Sequence, residues 1–186
     1  MSVVAERAAL REVMGELVTG VCVVSTLVHG RPGRPADAIV VNSFTSVSLR
    51  PPLVSMWLRE DSTFLGHVLR SGVWAVSILA EDGAPLAREL TVASEHRPPL
   101  DELDHIARWV PGPRTGCPTL AGSPGRIECE QHRHVPLGDH VLVVGRVVGL
   151  DRQPGRPLLF HRGGYGALPA DDPEFCGVHN FPGGNP

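Results

Sequence analysis

Apolar and polar positions along this chain change over in short blocks, and most blocks have the length of a strand. The first block is different. Leu10, Val13, Met14 and Leu17 recur at helical spacing, which predicts a helix over residues 5–18 with Gly20 as its stop. "GVCVVSTLVHG" (20–30) then reads as a strand and "GRPGRPAD" (30–37) as a turn-rich loop. "DSTFLGHVLRSG" (61–72) predicts a helix, with Asp61 or Ser62 as N-cap and Gly72 as C-terminal stop. "VWAVSILA" (73–80) is a strand and "EDGAPLARELTVA" (81–93) a short helix. Residues 94–118 hold five prolines and read as irregular surface chain. Two strands, 125–135 and 139–150, flank a "PLGD" turn, and 156–168 adds one more short strand.

One block resists this scheme. In "VVNSFTSVSLRPPLV" (40–54) one alternating face would be Val41, Ser43, Thr45, Val47 and Leu49. The other would be Val40, Asn42, Phe44, Ser46 and Ser48, so neither face is cleanly apolar. A half-buried strand collects its polar residues on one side. Small hydroxyl residues on both sides let a ligand approach the backbone, or let crowded strands pack. Pro51-Pro52 then forces a corner into the strand "LVSMWL" (53–58), because neither proline donates to a ladder.

Strands outnumber helices, and strand pairs joined by turns predict an antiparallel barrel or sandwich rather than a doubly wound sheet. There is no GxGxxG after a strand, so the usual dinucleotide turn is missing. The 186 residues fit one domain, with residues 169–186 as a loose tail.

Composition narrows the chemistry. All 17 basic residues are arginine, and the formal net charge is −3. Without lysine there is neither a Schiff-base amine nor a Walker A lysine. Without a basic run, nucleic acid is not the expected partner. No apolar run approaches the ~20 residues of a membrane span. The charged N-terminal stretch does not read as a signal peptide, and the four cysteines (22, 117, 129, 176) lack CxxC spacing. A cytoplasmic protein with free thiols follows. His132, His134 and His140 lack a completing carboxylate or cysteine, so no metal is expected. Cys129, Trp57 and Trp74 fall in strands and read as core, and Cys176 with His179 sits in the tail without a scaffold.

"ADAIVVNSFTSVSLRPPLV" resembles the signature of the flavin reductase-like family. "VMGELVTGVCVVST", "SGVWAVSILAEDGAPLAREL", "GDHVLVVGRVVGL" and "PLLFHRGGYGAL" are similar to that family's other segments, in the same order, from about residue 8 to 168. The resemblance implies a mainly β fold, a split antiparallel β-barrel of Greek-key type with a few short flanking helices, over residues 1–168. It implies a homodimer that reduces free FMN or FAD with NADH or NADPH and supplies reduced flavin to a partner monooxygenase. It places Val40, Val41, Asn42 and Ser43 at the flavin ring, and Ser46, Val47, Ser48 and Leu49 along the ribityl and phosphate side. Ser62 and Thr63 match a phosphate-binding segment, as a helix N-terminus can serve physically, and Arg59 adds charge. His140, oriented by Asp139, falls on the nicotinamide side, with Arg162 and Tyr165 lining the pocket.

Two positions depart from the family pattern: Val40 stands where a threonine is usual, and Arg50 where an aspartate is usual. They motivate two other readings. One is a flavin-binding protein without reductase turnover. The other is an enzyme that keeps its flavin and acts on its own small organic substrate, with 94–118 as a lid.

Overall fold

The computed structural model describes residues 3–93 and 96–169. In chain order the elements are α1 (Val3–Gly15), β1 (Thr19–Gly20), β2 (Cys22–Leu27), β3 (Ala36–Val41), β4 (Thr45–Leu49) and β5 (Pro52–Arg59). Then come α2 (Thr63–Ser71), β6 (Val73–Ile78), α3 (Ala84–Leu90) and a 3₁₀ turn (Leu100–Leu103). The chain continues with β7 (Trp109–Pro111), β8 (Pro118–Leu120), β9 (Gly125–Leu137), β10 (His140–Arg152), β11 (Leu158–His161) and β12 (Gly164–Ala167).

Seven strands form one antiparallel sheet in the order β3-β2-β6-β9-β10-β5-β4. Its two edge strands are neighbours in sequence, joined only by residues 42–44. Laid flat, seven strands would separate those edges by six spacings of about 4.8 Å, roughly 29 Å. The four steps from Val41 to Thr45 reach at most about 14 Å. The sheet therefore curls until its edges approach. Among the described residues no ladder joins β3 to β4, so the barrel stays split along that seam.

The unruly stretch is thus two strands. Its polarity on both faces marks the crossing from one sheet edge to the other. At the crossing, the Ser43 hydroxyl accepts from the Trp57 amide at 3.1 Å and donates to the Trp57 carbonyl at 3.2 Å. Thr45 pairs with Ser55, so Trp57 is where the next ladder partner would stand. Ser43 satisfies with its side chain what the departing backbone no longer can. The expected corner is also there, with β5 starting at Pro52.

Two apolar clusters hold the barrel. Cys22, Val24, Met56, Leu58, Trp74, Val76, Cys129 and Val143 fill the interior with Phe64 and Val68 of α2. Val21, Val23, Ala36 and Ala38 face outward onto Leu86, Ala87 and Leu90 of α3 and onto Leu100, Leu103, Leu120 and Leu158. β2 is covered on both sides, which is why it is a nearly continuous apolar run. Burial pushes the Cys22 and Cys129 thiols up to about 12, so both stay protonated and inert.

Three expectations need correction. The first helix ends at Gly15, and Gly20 lies in β1, paired with Leu159. Leu10, Val13, Met14 and Leu17 are mostly exposed rather than packed. The proline-rich segment is not a surface wanderer: Arg97, Leu100, Leu103 and Cys117 are buried, and β7 pairs with β8. Glu128 anchors its far end, its Oε2 accepting from the Arg114 and Thr115 amides (3.0 and 2.7 Å) and the Thr115 hydroxyl (2.8 Å). Most of the tail, including Cys176 and His179, lies outside the described residues.

Gly145 in β10 makes room for the core. A Cβ there would press into the Trp74 indole and come within 2.8 Å of Cys129 Cβ. Gly145→Ala is expected to lower unfolding free energy by about 1–3 kcal/mol, the usual cost of overpacking. Urea titration checks this, and an unchanged midpoint would mean Trp74 repacks freely.

Candidate functional site

The seam opens into a cavity of about 600 Å³, a ligand-sized volume. One wall is the end of β3 and the crossing, Ile39 to Ser43. A second is the end of β5 with the start of α2, from Trp57 to Leu58, Arg59, Asp61, Ser62 and Thr63. A third is the chain after α3, with Leu90, Thr91, Ala93 and Arg97. His140 closes one end, held there because β10 starts opposite the last residue of β5 (His140↔Arg59).

Each wall brings particular chemistry. Ser62 occupies the N-cap position of α2, yet its hydroxyl makes no capping bond. The first-turn amides and that hydroxyl therefore face the cavity as donors without a positive side chain, the makings of an anion site. Arg59 is tied to Asp61 by Nε–H···Oδ1 at 2.9 Å and Nη2–H···Oδ2 at 2.6 Å, and this fork holds the Asp61 carboxyl below its ordinary range. His140 Nδ1 lies 2.7 Å from Asp139 Oδ1, and that hydrogen bond lowers the Asp139 carboxyl. Asp139 sits in the two-residue β9–β10 turn, where Gly138 takes φ 63°. The Asp–His pair seen in the sequence is real, and its Nε2 edge is free for a ligand.

Of the residues expected at the site, the fold brings together Val40, Val41, Asn42, Ser43, Arg59, Ser62, Thr63 and His140, with Asp139 behind His140. Tyr165 stands in an adjoining cleft with Val21, Val40, Asn42, Thr91 and Phe160. Its ring packs against Phe160 (centroids 5.6 Å apart) and under the Arg88 guanidinium (5.7 Å). Others fall elsewhere. Ser46, Val47, Ser48 and Leu49 run along β4, outside this cavity, because the chain has already crossed to the far edge. Arg162 turns to the chain just after α1, where its guanidinium clasps Glu16 at 2.7 Å. Trp57, read from the sequence as core, lines the cavity and is 36% exposed, whereas Trp74 is fully buried.

Sequence reasoning missed Trp57, Asp61, Thr91, Ala93 and Arg97. The available signal was Asp37, a lone carboxylate inside an apolar strand. It is buried (1% exposed) and accepts from Arg34 and Arg97 at 3.1 Å each. His67 of α2 lies 3.2 Å from its other oxygen, and since a carboxylate only accepts, Nδ1 of His67 carries the proton.

Residues 14–169 match the flavin reductase like domain, and the chain belongs to that family. The NADH-dependent FAD reductase of Streptomyces globisporus is 36% identical over 160 residues, covering 86% of this chain and 84% of the relative. The reductase subunit of a flavin-dependent monooxygenase from Rhodococcus jostii is 33% identical over 162 residues, covering 87% and 77%. The NADH:FAD oxidoreductase of Streptomyces globisporus C-1027, solved with NAD and FAD fragments, is similar in fold at a TM-score of 0.79. It is 32% identical, with 90% of this chain and 95% of that one covered.

Burial, reinforced by Arg70 and Arg31, holds the His67 imidazole below its ordinary pKa despite the pull of Asp37. The folded protein thus takes up this proton less readily than the unfolded chain. Stability from the neutral ring is complete above pH ~6.5 and is lost as pH falls through the lower folded value. His67→Gln is expected to flatten the acid-side decline of unfolding free energy below that pH. An unchanged slope would place the acid sensitivity in other groups.

Proposed function

We propose that this protein reduces free FMN or FAD with a reduced nicotinamide dinucleotide and passes the reduced flavin to a flavin-dependent monooxygenase. The observation that carries this reading is the meeting, in one cavity, of the β3 end, the uncapped start of α2 and His140. The cavity volume and donor set fit a flavin: polar backbone and Asn42 and Ser43 for the ring, and helix amides with Ser62 for a phosphate. When bound, the flavin accepts two electrons from the nicotinamide and carries them away.

The chain's own residues bind and orient. Backbone groups of residues 40–43 line one side of the ring site and stabilise charge that develops there. Asp139 fixes the His140 imidazole, whose free edge holds the nicotinamide carboxamide. Trp57 and Leu58 exclude water from the wall opposite β3. None of these residues has to shuttle a proton for hydride transfer, so the site needs no acid–base dyad.

Three further features belong to this reading. Similarity to a Rhodococcus monooxygenase reductase subunit supports an oxygenase as recipient. The half-exposed apolar stripe of Leu10, Val13, Met14 and Leu17 supports a homodimer. Three free, buried thiols accord with a cytoplasmic setting, and among the described residues no helix is long and apolar enough to cross a membrane.

Purified protein mixed with FAD or FMN and NADH in air should consume NADH, followed at 340 nm, only when flavin is added. Flavin binding without NADH loss would mean a binding protein, and flavin retained through gel filtration would mean an enzyme that keeps its cofactor. His140→Ala is expected to raise the KM for NADH about tenfold, the worth of one directed hydrogen bond, and to leave the flavin KM nearly unchanged. Equal shifts in both would remove His140 from the nicotinamide side.

A further inference from the structure

Two of the cavity's walls do not touch the barrel through apolar packing alone. The segment after α3 and the helix α2 both reach back to one buried carboxylate. Asp37 Oδ1 accepts from Arg34 Nη2 and Arg97 Nη1, each at 3.1 Å, and from the Ala38 amide at 3.0 Å. Its Oδ2 accepts a hydrogen bond from Nδ1 of His67, on α2, at 3.2 Å. The two arginines are cross-braced, since Arg34 Nη1 donates to the Arg97 carbonyl at 3.1 Å and Arg97 Nη2 to the Val92 carbonyl at 3.4 Å. All four residues are at most 8% exposed. A buried cluster of this kind is poor value as stability alone, because desolvation offsets most of the attraction. What it supplies is geometry.

We infer that Asp37 is a positioning residue: with Arg34, Arg97 and His67 it latches Arg97, the Val92 carbonyl that Arg97 holds, and helix α2 onto β3, and so fixes the flavin cavity's width. The inference rests on the flavin reading of that cavity. Thr91 and Ala93 line the cavity together with Ser62 and Thr63, and the two segments are tied to the same carboxylate through Arg97 and His67. Loosening either arm widens the site without altering a group that the nicotinamide uses.

Charge balance chooses the variants. Replacing Asp37 leaves two buried guanidinium groups unpaired, and such a protein is expected to misfold. Removing one arginine instead leaves one cation against one carboxylate. Arg97 lines the cavity, so its loss alone would mix latch and direct contact. Arg34 does not line it, and its guanidinium bonds go to Asp37 and to the Arg97 carbonyl.

The test measures flavin binding by quenching of FMN or FAD fluorescence, and KM for flavin and for NADH, in the parent, Arg34→Gln, Arg97→Gln and Arg97→Lys. Thermal unfolding confirms that each is folded. A parent that binds no flavin sinks the functional reading itself. Given a binding parent, each single variant is expected to weaken flavin about tenfold, the worth of one charge-assisted hydrogen bond. In Arg34→Gln the NADH KM and the rate at saturating flavin stay near parental values. Arg97→Lys recovers part of the loss. Weakening at Arg97 with parental flavin binding in a folded Arg34→Gln would overturn the proposal in favour of direct contact. Parallel loss for flavin and NADH would overturn it in favour of general softening.

Discussion

Three residues between two edge strands constrain everything else in this molecule. Because β3 and β4 are consecutive in the chain and lie at opposite ends of the sheet order, the sheet has to close on itself. Because residues 42–44 pass between the edges instead of pairing, the closure is left open on one side. Along that seam, among the described residues, no ladder joins β3 to β4, so edge backbone groups are left uncommitted. A polar ligand that must be held mainly by main-chain donors and acceptors belongs there. Ser43, bonded to both the amide and carbonyl of Trp57, keeps the seam from unravelling into β5.

Charge at the site follows from the absence of lysine. Every fixed positive charge is a guanidinium, and both that border the cavity are already engaged. Arg59 is forked onto Asp61, and Arg97 onto Asp37. The remaining donors for an anion are the first turn of α2 and the unused Ser62 hydroxyl. An exposed ion pair such as Arg59–Asp61 holds weakly and exchanges readily with another anion. The latch around Asp37 is the opposite case, sealed from water and cross-braced, so it does not exchange.

The local order of strands and helices was legible because it is written at short range. The period-2 runs, Gly72 in the left-handed region after α2 and the Gly138 turn are all local chemistry. The polar faces of 40–54 also announced a site, and residues 40–43 do line it. Illegible were the facts that depend on where the chain crosses. Ser46 to Leu49 carry the same small polar residues as Asn42 and Ser43, but lie past the crossing and leave the cavity. Arg162 reads as pocket lining beside two glycines, yet the hairpin aims it at Glu16, just past the end of α1. Trp57 reads like Trp74, and only the curl of the sheet separates a cavity wall from a core anchor. The segment 94–118 looked loose because its prolines are visible and its partners, Asp37 and Glu128, are distant in sequence.

A site built on a seam carries a mechanical consequence. The cavity's walls belong to the β3 edge of the sheet, to the end of β5 with the start of α2, and to a segment after α3, so no ladder between β3 and β5 fixes their separation. Apolar contact can set a separation only loosely, since methyl groups slide at little cost. Directional bonds to a buried charge do not slide. A carboxylate near the start of β3, where an aliphatic residue would give a better core, costs the barrel some packing and holds both movable walls to the one strand that begins the crossing. On that view the same three-residue crossing that opens the barrel makes a polar latch beside it necessary, and Asp37 stands one pleat repeat before Ile39, where the cavity wall begins.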